Sequence, residues 1–259
     1  MWKFILTLAA FFFANCAAAQ HIEQEIVREI APHGKLRAAI NFGNPVLAQK
    51  DALTGEPRGI SADLSRELSR RLGVPLEFVL FESAGKVADA AKTGAWDIAF
   101  VAIDPGRAND ISFTAPYVII EGTYMVSADS PLRTLEDVDR EGVRIAVGKG
   151  SAYDLYLTRT IKKAQLVRAP TSPTVIDTFQ EQKLEVAAGV RQQLLAFASG
   201  RSDLRVMDGR FMVIEQAMGM PKGREKGLAF LKLFVEEAKS SGFVASGLTR
   251  SNQRDEIAP

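Results

Sequence analysis

The residue in this chain best suited to hold a small anion is Arg107, within the segment GRANDISFTAPY (106 to 117). A guanidinium group is a planar fork whose N–H donors match a carboxylate with two parallel, charge-assisted hydrogen bonds. The alternative role for Arg107 is that of an ordinary surface charge, where most charged side chains lie. Arg107 is therefore a candidate carboxylate anchor, and the elements around it decide between the two roles.

A second possible anion contact is the pair Gly150 and Ser151, which lies between the β-like segment RIAVG (144 to 148) and the helix-like segment AYDLYLTRTIKK (152 to 163). A strand-to-helix turn places backbone amides at the positive end of the helix, where they bind anions. Serine is also a preferred N-cap residue, and that role alone would explain Ser151. The two roles are compatible, and we expect free amides at Gly150 and Ser151 to contact a ligand.

Residues suited to catalysis or metal binding are scarce in this sequence. It has two histidines, His21 and His33, and one cysteine, Cys16, all in its first part. The sequence contains no recognisable catalytic triad, glycine-rich phosphate loop or metal-ligand cluster. Asp104, just before Pro105, is either a helper acid or a turn former. We therefore predict no enzymatic activity, no metal and no cofactor.

Residues 1 to 19 have the plan of a signal peptide. Lys3 precedes an apolar run from 4 to 14 and a small-residue pattern that ends at Ala19. The apolar run is too short to span a bilayer comfortably, and the small residues form a cleavage site. We expect cleavage near Ala19 and a mature protein in the periplasm. Lipid attachment at Cys16 is the alternative, although the residues before it poorly resemble a lipid-attachment site.

The composition argues against a nucleic-acid partner and against a membrane span after the leader. The chain has 32 Lys and Arg against 31 Asp and Glu, and 47% of its residues are hydrophobic. A balanced charge disfavours a nucleic-acid partner, and no apolar run after the leader reaches the length of a membrane span. The hydrophobic content suffices for one large core or two moderate ones.

Short β-like segments alternate with helix-like segments along the chain. The predicted strands are LRAAI (36 to 40), LEFVLF (76 to 81), DIAFVAI (97 to 103), RIAVG (144 to 148) and LEVAAGV (184 to 190). This alternation is typical of an α/β fold with a mostly parallel sheet and helices on its faces.

Three of the predicted helices carry distinct sequence signals. In SADLSRELSRRLG a leucine recurs every four residues, with Ser61 as the predicted N-cap and Gly73 as the predicted end. Ser172 and Pro173 are predicted to open another helix, because serine favours the N-cap and proline the first helical turn. The segment GLAFLKLFVEEAKSSG predicts an amphipathic helix near the C-terminus.

Four segments in order carry a resemblance to a known family. They are GISADLSRELSRRLGVPLEFV (59 to 79), AAKTGAWDIAF (90 to 100), GRANDISFTAPY (106 to 117) and LRTLEDVDREGVRIAVGKGSA (132 to 152). Together they resemble the bacterial extracellular solute-binding proteins of family 3, the polar amino-acid receptors of import systems. The third segment is the most specific, because the family places an arginine six residues before a Phe-Ser/Thr-x-Pro-Tyr motif, as Arg107 precedes Phe113.

The resemblance implies the α/β fold of a two-lobed, type II periplasmic binding protein. Each lobe would be a mostly parallel sheet flanked by helices, and two hinge crossings would join the lobes. The first lobe would comprise 22 to 120 and the return segment 214 to 259 with its C-terminal helix, and the second lobe 121 to 213. A small carboxylate-bearing ligand, amino-acid-like or an organic acid, would bind in the cleft, and lobe closure would present it to an ABC importer.

Several positions depart from the family's ligand-binding pattern. Family members commonly carry Ser or Thr where this chain has Ala102 and Ala152, which lack a hydroxyl. They also end the strand corresponding to LEVAAGV in an aspartate that binds the ligand's ammonium group, where this chain has Val190. A buried ammonium without a counter-charge is unfavourable. We therefore expect no ordinary α-amino acid as ligand, unless Glu121 or Asp208 replaces that aspartate.

The loop after the first predicted strand, INFGNPVLAQKD, stands where the family places an aromatic residue against the ligand. Phe42 is the candidate, since it can stack on a planar or apolar ligand; packing in the core is the alternative. Asn44 is a further polar candidate. The predicted ligand-binding residues are therefore Arg107, Ser151, Gly150, Phe42, Asn44, Ala102 and Val190.

Two other functions are compatible with the same scaffold. One is a secreted enzyme resembling periplasmic cyclohexadienyl dehydratases, which would need an acid in the cleft to eliminate water and carbon dioxide. The other is an accessory protein of a periplasmic dehydrogenase system. Fold alone does not decide among these functions. Our leading hypothesis is a transport receptor that is a monomer and whose partner is the membrane permease of an ABC importer.

Overall fold

The computed structural model of the chain describes residues 22 to 253 and 256 to 257. The predicted signal peptide, with Cys16 and Ala19, lies outside the described residues, as does His21. Among the described residues, no helix combines the length and the apolar character that a membrane span requires. Within the same residues, no group of three His, Cys, Asp or Glu side chains is arranged to hold a metal ion.

The secondary-structure elements follow one another in an alternating order. The first half of the chain contains α1 (Gln24–Ile30), β1 (Leu36–Asn41), β2 (Gln49–Lys50), β3 (Pro57–Arg58), α2 (Ile60–Leu72), β4 (Leu76–Phe81), α3 (Ala84–Asp89), β5 (Ile98–Ala102) and β6 (Ile111–Ser127). The second half contains β7 (Arg144–Gly148), α4 (Ala152–Thr160), β8 (Gln165–Ala169), α5 (Val175–Glu181), β9 (Val186–Val190), α6 (Arg191–Ala198), β10 (Leu204–Val206), β11 (Met212–Pro221), α7 (Glu225–Ser240), α8 (Phe243–Arg250) and β12 (Glu256–Ile257).

The main sheet has the strand order β4-β1-β5-β11-β6-β9-β7-β8. Strands β4, β1 and β5 are parallel to one another, and so are β9, β7 and β8. The antiparallel strands β11 and β6 join these two halves. We call the half built on β4-β1-β5, with its helices, the first lobe, and the half built on β9-β7-β8 the second lobe. This arrangement confirms the predicted two-lobed type II fold with two hinge crossings.

Helix α2 matches its predicted apolar face but not its predicted start. Leu64, Leu68 and Leu72 are buried, and Gly73 ends the helix in a left-handed conformation. The N-cap is Gly59, whereas Ser61 lies inside the first turn with a buried hydroxyl. The prediction that Ser61 is the cap was wrong, because the chain already turns into the helix at Gly59.

Two further helix predictions can be compared with the structure. Helix α5 begins at Val175 with Thr174 as its N-cap, so Ser172 and Pro173 belong to the preceding turn and do not open the helix. Helix α7 confirms the predicted amphipathic helix near the C-terminus. Helix α8, which follows α7 after a two-residue break, was not predicted from the sequence.

The hydrophobic core runs through both lobes. Its largest cluster includes Leu36 and Ile98 from the first lobe, Tyr117 from β6, and Val147 and Val186 from the second lobe. Burying each large aliphatic side chain contributes roughly 1.5–3 kcal/mol. The hinge strands are therefore packed as core, and the edge at which the strands of each lobe end is left to form the site.

Candidate ligand-binding site

A small cavity lies where the carboxyl ends of β1 and β5 in the first lobe face the amino end of α4 in the second. Ligands of open α/β sheets bind at this edge. The cavity is lined by Asn41, Gly43, Asn44, Ala84, Ala102, Arg107, Ser151, Ala152, Tyr153, Ser172, Val190, Ile214 and Gln216. Its volume of about 30 Å³ has space for about two water molecules, so the two lobes meet closely around it.

Arg107 is buried at this meeting point, with 5% of the residue exposed. Nη1 donates a 2.9 Å hydrogen bond to the carbonyl oxygen of Ala102, and Nη2 donates one of 2.9 Å to the carbonyl oxygen of Gly150. Nε is buried without a partner among the described residues. Burial lowers the pKa of Arg107 to about 10, against a smaller opposing effect of the Asp104 carboxylate. The guanidinium is thus a desolvated cation with a free donor.

Asp104 serves both as a turn former and as a contact between lobes. Oδ1 accepts a 2.8 Å hydrogen bond from the amide of Gly106, which confirms the turn-forming role. Oδ2 accepts one of 2.8 Å from Nη2 of Arg159, on α4 of the second lobe. The Asp104 side chain is 4% exposed and that of Arg159 is 46% exposed, so the ion pair lies at the edge of the contact between the lobes.

The turn before α4 uses its backbone amides differently from the prediction. The amide of Gly150 donates to Oδ2 of Asp154 at 2.8 Å, and the amide of Ser151 donates to the carbonyl oxygen of Gly148 at 3.0 Å. The expectation of free amides at Gly150 and Ser151 was therefore wrong. The predicted N-cap role of Ser151 is confirmed, because Oγ accepts from the amide of Asp154.

The free amides of this turn lie one and two residues further along the chain. Among the described residues, the amides of Ala152 and Tyr153 have no hydrogen-bond acceptor. Both residues line the cavity at the positive end of α4. The second lobe therefore offers donors to the cavity from these two amides.

Gly150 also makes a close backbone approach to Gly85 of the first lobe. Its φ of +71° is in the left-handed region, and a Cβ atom placed on it would lie 2.8 Å from Cα of Gly85 at the start of α3. A Cβ placed on Gly85 would lie 3.1 Å from Cα of Gly150. Real Cβ contacts are rarely this short, so the lobes meet at this distance because both residues are glycine.

Three buried amide side chains line the cavity. Oδ1 of Asn41 accepts a 2.9 Å hydrogen bond from the amide of Gly43, and Oδ1 of Asn44 accepts one of 3.2 Å from the amide of Val46. These bonds fix which end of each side-chain amide is oxygen. Gln216 on β11 lies opposite Ala102, beside a register shift of the β11–β6 ladder that alters the local direction of the strand.

The apolar part of the lining contains two of the predicted residues. Ala102 and Val190 both line the cavity, together with Ala152 and Ile214. Phe42 does not, because it is partly buried against the first-lobe core and its amide bonds to the carbonyl oxygen of Phe81. For Phe42 the structure thus favours the core role over ligand stacking.

The two acids considered as substitutes for the family's aspartate are placed elsewhere. Glu121 accepts from Nη1 of Arg210 at 2.6 Å and from Nε of Arg191 at 2.7 Å. Arg210 and then Arg191 hold the pKa of Glu121 below its usual value. Asp208 is exposed. Among the described residues that line the cavity there is no Asp, Glu or His, and Arg107 is the one charged side chain.

Several lining residues were not predicted from the sequence, and four of them are polar: Asn41, Tyr153, Ser172 and Gln216. Asn41 had a usable signal, since it directly follows the predicted strand LRAAI and so stands at the ligand-binding edge of the sheet. Gln216 had none, because its place depends on the return crossing and on the register shift beside it. Burial raises the pKa of Tyr153, so its hydroxyl remains a neutral hydrogen-bonding group.

The fold and the cleft together define a two-lobed solute-binding protein of type II. The chain belongs to the bacterial extracellular solute-binding proteins, family 3, whose family model matches residues 37 to 250. The predicted resemblance is thus confirmed.

Individual relatives are distant. The amino-acid-binding protein AabA of Dichelobacter nodosus is 20% identical over 146 residues, which cover 56% of this chain and 58% of that protein. ArgBP from T. maritima, solved as a mutant, matches with a TM-score of 0.74 at 22% identity. The match covers 88% of this chain and 99% of the ArgBP chain. An ancestral amino acid-binding protein, AncCDT-1, a precursor of cyclohexadienyl dehydratase, matches with a TM-score of 0.73 at 21% identity. The match covers 86% of this chain and 97% of the AncCDT-1 chain.

Proposed function

We propose that this chain is a periplasmic solute-binding protein that captures a small carboxylate-bearing ligand by lobe closure and delivers it to an ABC importer. The observation that carries this proposal is the charge inventory of the cavity, which holds the buried cation of Arg107 and no acidic side chain among its described lining residues. A buried cation whose direct hydrogen-bond partners are neutral carbonyl groups is stabilised by an anionic ligand that bonds to it. Family membership and relatives described as amino-acid-binding proteins support the transport role.

The proposed capture step exchanges one acceptor for another at Arg107. The carbonyl oxygen of Gly150, which Nη2 reaches across the cleft, moves away when the lobes part. A ligand carboxylate then accepts from the guanidinium in two parallel bonds, which are stronger than bonds to a neutral carbonyl. The amides of Ala152 and Tyr153 approach the ligand as the second lobe closes on it, in a hinge motion of the kind known for two-lobed binding proteins.

The proposed lobe boundaries also fit the hinge strands. In the β11–β6 ladder Ile120 pairs with Ile214, and Glu121 pairs with Val213. The boundaries at 120/121 and 213/214 are therefore adjacent in space, as two crossings of one hinge must be. On this basis we propose the first lobe as 22 to 120 and 214 to 259, and the second as 121 to 213.

We propose binding rather than catalysis for this cavity. The dehydratase alternative requires a general acid that reaches the substrate, and the described lining residues include no carboxyl or imidazole group. The likeness to AncCDT-1, at 21% identity, concerns the fold. The proposed partner is the membrane permease, and the proposed state in solution is a monomer.

Calorimetry on variants of Arg107 tests the carboxylate anchor. With any small carboxylate that binds the wild type, Arg107→Ala should weaken binding by roughly 2–5 kcal/mol, the range for removing one member of a buried charged pair. Arg107→Lys should restore binding only in part, because an ammonium cannot supply two parallel bonds. Arg58→Ala removes an exposed arginine of the first lobe and serves as the matched control. Unchanged affinity in a folded Arg107→Ala protein would remove the proposal.

A further inference from the structure

We infer that the cleft selects small carboxylates that carry a second hydrogen-bond-accepting oxygen and no ammonium group, and that Asn41 and Asn44 recognise the second oxygen. This inference rests on the proposed carboxylate-binding function and specifies its ligand. Some polar atoms at the cavity are already paired, and those that remain available are mainly donors.

Asn41 and Asn44 present donors from the first lobe. Both are buried, at 7% and 8% exposed, and both line the cavity. Their Oδ1 atoms are occupied by the amides of Gly43 and Val46. Each Nδ2 group, with two N–H bonds, therefore remains as the available end of its side chain. Neither side-chain amide can rotate to exchange Oδ1 for Nδ2 without losing its hydrogen bond from a backbone amide. The two Nδ2 groups therefore need an acceptor on the ligand.

Arg107 of the first lobe and the amino end of α4 in the second lobe also present donors to the cavity. Nε of Arg107 is buried and unpaired among the described residues, and the free amides of Ala152 and Tyr153 lie at the amino end of α4. These donors suit the carboxylate. Together with the two asparagine amides, they offer more N–H bonds than the roughly four acceptor sites of one carboxylate can pair.

An amino acid would place its ammonium group, which can only donate, against this arrangement. The neutral groups Ser172, Tyr153 and Gln216 can accept hydrogen bonds, but none supplies a counter-charge. A keto oxygen or a second carboxylate instead accepts from the Asn41 and Asn44 amides. A site built with buried donors discriminates strongly against a ligand that leaves them unpaired.

The test compares four ligands of similar size by calorimetry on the full mature chain: butanoate, 2-oxobutanoate, succinate and L-2-aminobutanoate. At least one of 2-oxobutanoate and succinate should bind about tenfold or more tightly than butanoate, because each adds an acceptor. L-2-aminobutanoate should bind most weakly. Equal or tighter binding of L-2-aminobutanoate than of both 2-oxobutanoate and succinate would overturn the inference.

Asn44→Asp provides a reversal test. The new side chain keeps an oxygen for the amide of Val46 but replaces the Nδ2 donor with a charged acceptor. Binding of 2-oxobutanoate and succinate should fall by about tenfold or more, and binding of L-2-aminobutanoate should rise, since like charges repel and opposite charges attract across the site. Asn109→Asp makes the same change at an exposed position and should alter neither. If Asn44→Asp does not fold, Asn41→Asp applies the same test.

The outcomes separate the inference from the function on which it rests. If butanoate binds as tightly as 2-oxobutanoate and succinate, and Arg107→Ala abolishes that binding, the carboxylate anchor stands and the second-acceptor inference fails. If Asn44→Asp and Asn41→Asp fold and leave the order of the four ligands unchanged, the inference also fails. If none of the four binds the wild type, both proposals are rejected.

Discussion

The carbonyl oxygen of Gly150 accepts a 2.9 Å hydrogen bond from Nη2 of Arg107, so the second lobe supplies an acceptor at the position proposed for the ligand carboxylate. A carbonyl dipole compensates a buried guanidinium less well than a carboxylate does. This difference is the proposed driving force for exchanging the backbone contact for a ligand.

The lowered pKa of Arg107 predicts how ligand affinity depends on pH. Burial brings this pKa to about 10, so the cation is present at neutral pH and is lost as the pH rises through about 10. Carboxylate affinity should be nearly constant from pH 6 to 9 and should fall about tenfold per pH unit above 10. Ligand titrations followed by tryptophan fluorescence measure this affinity at each pH. Affinity that does not fall above pH 10 would mean that the guanidinium charge does not hold the ligand.

The Asp104–Arg159 ion pair predicts a salt-dependent contribution to closure. Arg159→Gln removes the cation that approaches Oδ2 of Asp104 from the second lobe. Because Arg159 is nearly half exposed, the ion pair should contribute no more than ~1 kcal/mol, and the ligand affinity of Arg159→Gln should fall by less than about sixfold.

The salt dependence of affinity provides the sharper readout for this ion pair. The difference between the wild type and Arg159→Gln should shrink in 1 M salt, where exposed charges are screened. Arg133→Gln, at an exposed site of the second lobe, is the control for the change in net charge. A difference that persists undiminished at high salt would exclude an ionic contribution.

Glu67 predicts a specific loss of stability in acid. Nε of Arg70 and Nε of Arg71 each donate to it at 2.8 Å, and its pKa is lowered to about 2, with the Arg70 bond as the largest cause. A lowered carboxyl pKa contributes stability above the unfolded value of about 4.5, and this contribution is lost as the pH falls toward 2.

The matching variant is Glu67→Gln. It should lower the free energy of unfolding by ~0.5–1 kcal/mol at pH 7, a figure reduced for solvent screening, and by less at pH 2.5. Denaturant unfolding at both pH values measures the change. Glu136→Gln, at an exposed position, should stay within ~0.5 kcal/mol at either pH. An equal loss for Glu67→Gln at both pH values would show that the charge is not the cause.

The N-terminal segment carries a prediction about processing. Export should remove residues 1 to 19, because a basic start, a short apolar run and a small-residue site occur together. Intact-mass measurement of the periplasmic protein should give a chain that begins at Gln20. A mass that includes Met1, or a lipid on Cys16, contradicts this expectation.

Local patterns were sufficient to predict much of the fold. The strands LEFVLF and RIAVG have the predicted bounds, and the leucine repeat of α2 faces the core. These features depend on residues near one another in sequence. The errors occurred at helix starts, where Gly59 and Thr174 are the observed caps. More than one nearby residue is suited to the N-cap, and the path of the preceding chain decides which one is used.

The candidate site could be predicted only in part. Arg107 was predicted from motif spacing, Ser151 from its place in a strand-to-helix turn, and Asn44, Ala102 and Val190 from the positions where the family resemblance implies ligand contacts; all five line the cavity. The amides of Gly150 and Ser151 are not free as expected, because they donate hydrogen bonds to the Asp154 carboxylate and to the carbonyl oxygen of Gly148. Both contacts are local, between residues three and four positions apart, and they depend on the conformation that the turn adopts, which the residue types alone do not specify.

The Gly85–Gly150 contact predicts that one added methyl group in the cleft weakens ligand affinity without lowering the stability of the protein. Gly85 lies in the first turn of α3, so Gly85→Ala should stabilise the helix by about 0.5–1 kcal/mol. The same methyl group would lie 3.1 Å from Cα of Gly150 and 3.3 Å from the carbonyl oxygen of Lys149, which hinders closure. We expect an unchanged or higher melting temperature together with ligand affinity weakened on the order of tenfold, or ~1.4 kcal/mol.

Gly150→Ala and Gly142→Ala supply the matched pair for this test. Both positions have positive φ, +71° and +82°, so alanine is strained at each by a similar amount. A Cβ atom at Gly150 would lie 2.8 Å from Cα of Gly85, whereas one at Gly142 would have no atom within 4 Å. Both variants should lose stability, but only Gly150→Ala should lose affinity and show a larger radius of gyration by small-angle scattering with ligand present. Full affinity in both Gly85→Ala and Gly150→Ala would mean that ligand binding does not require the lobes to approach as closely as they do at these two glycines.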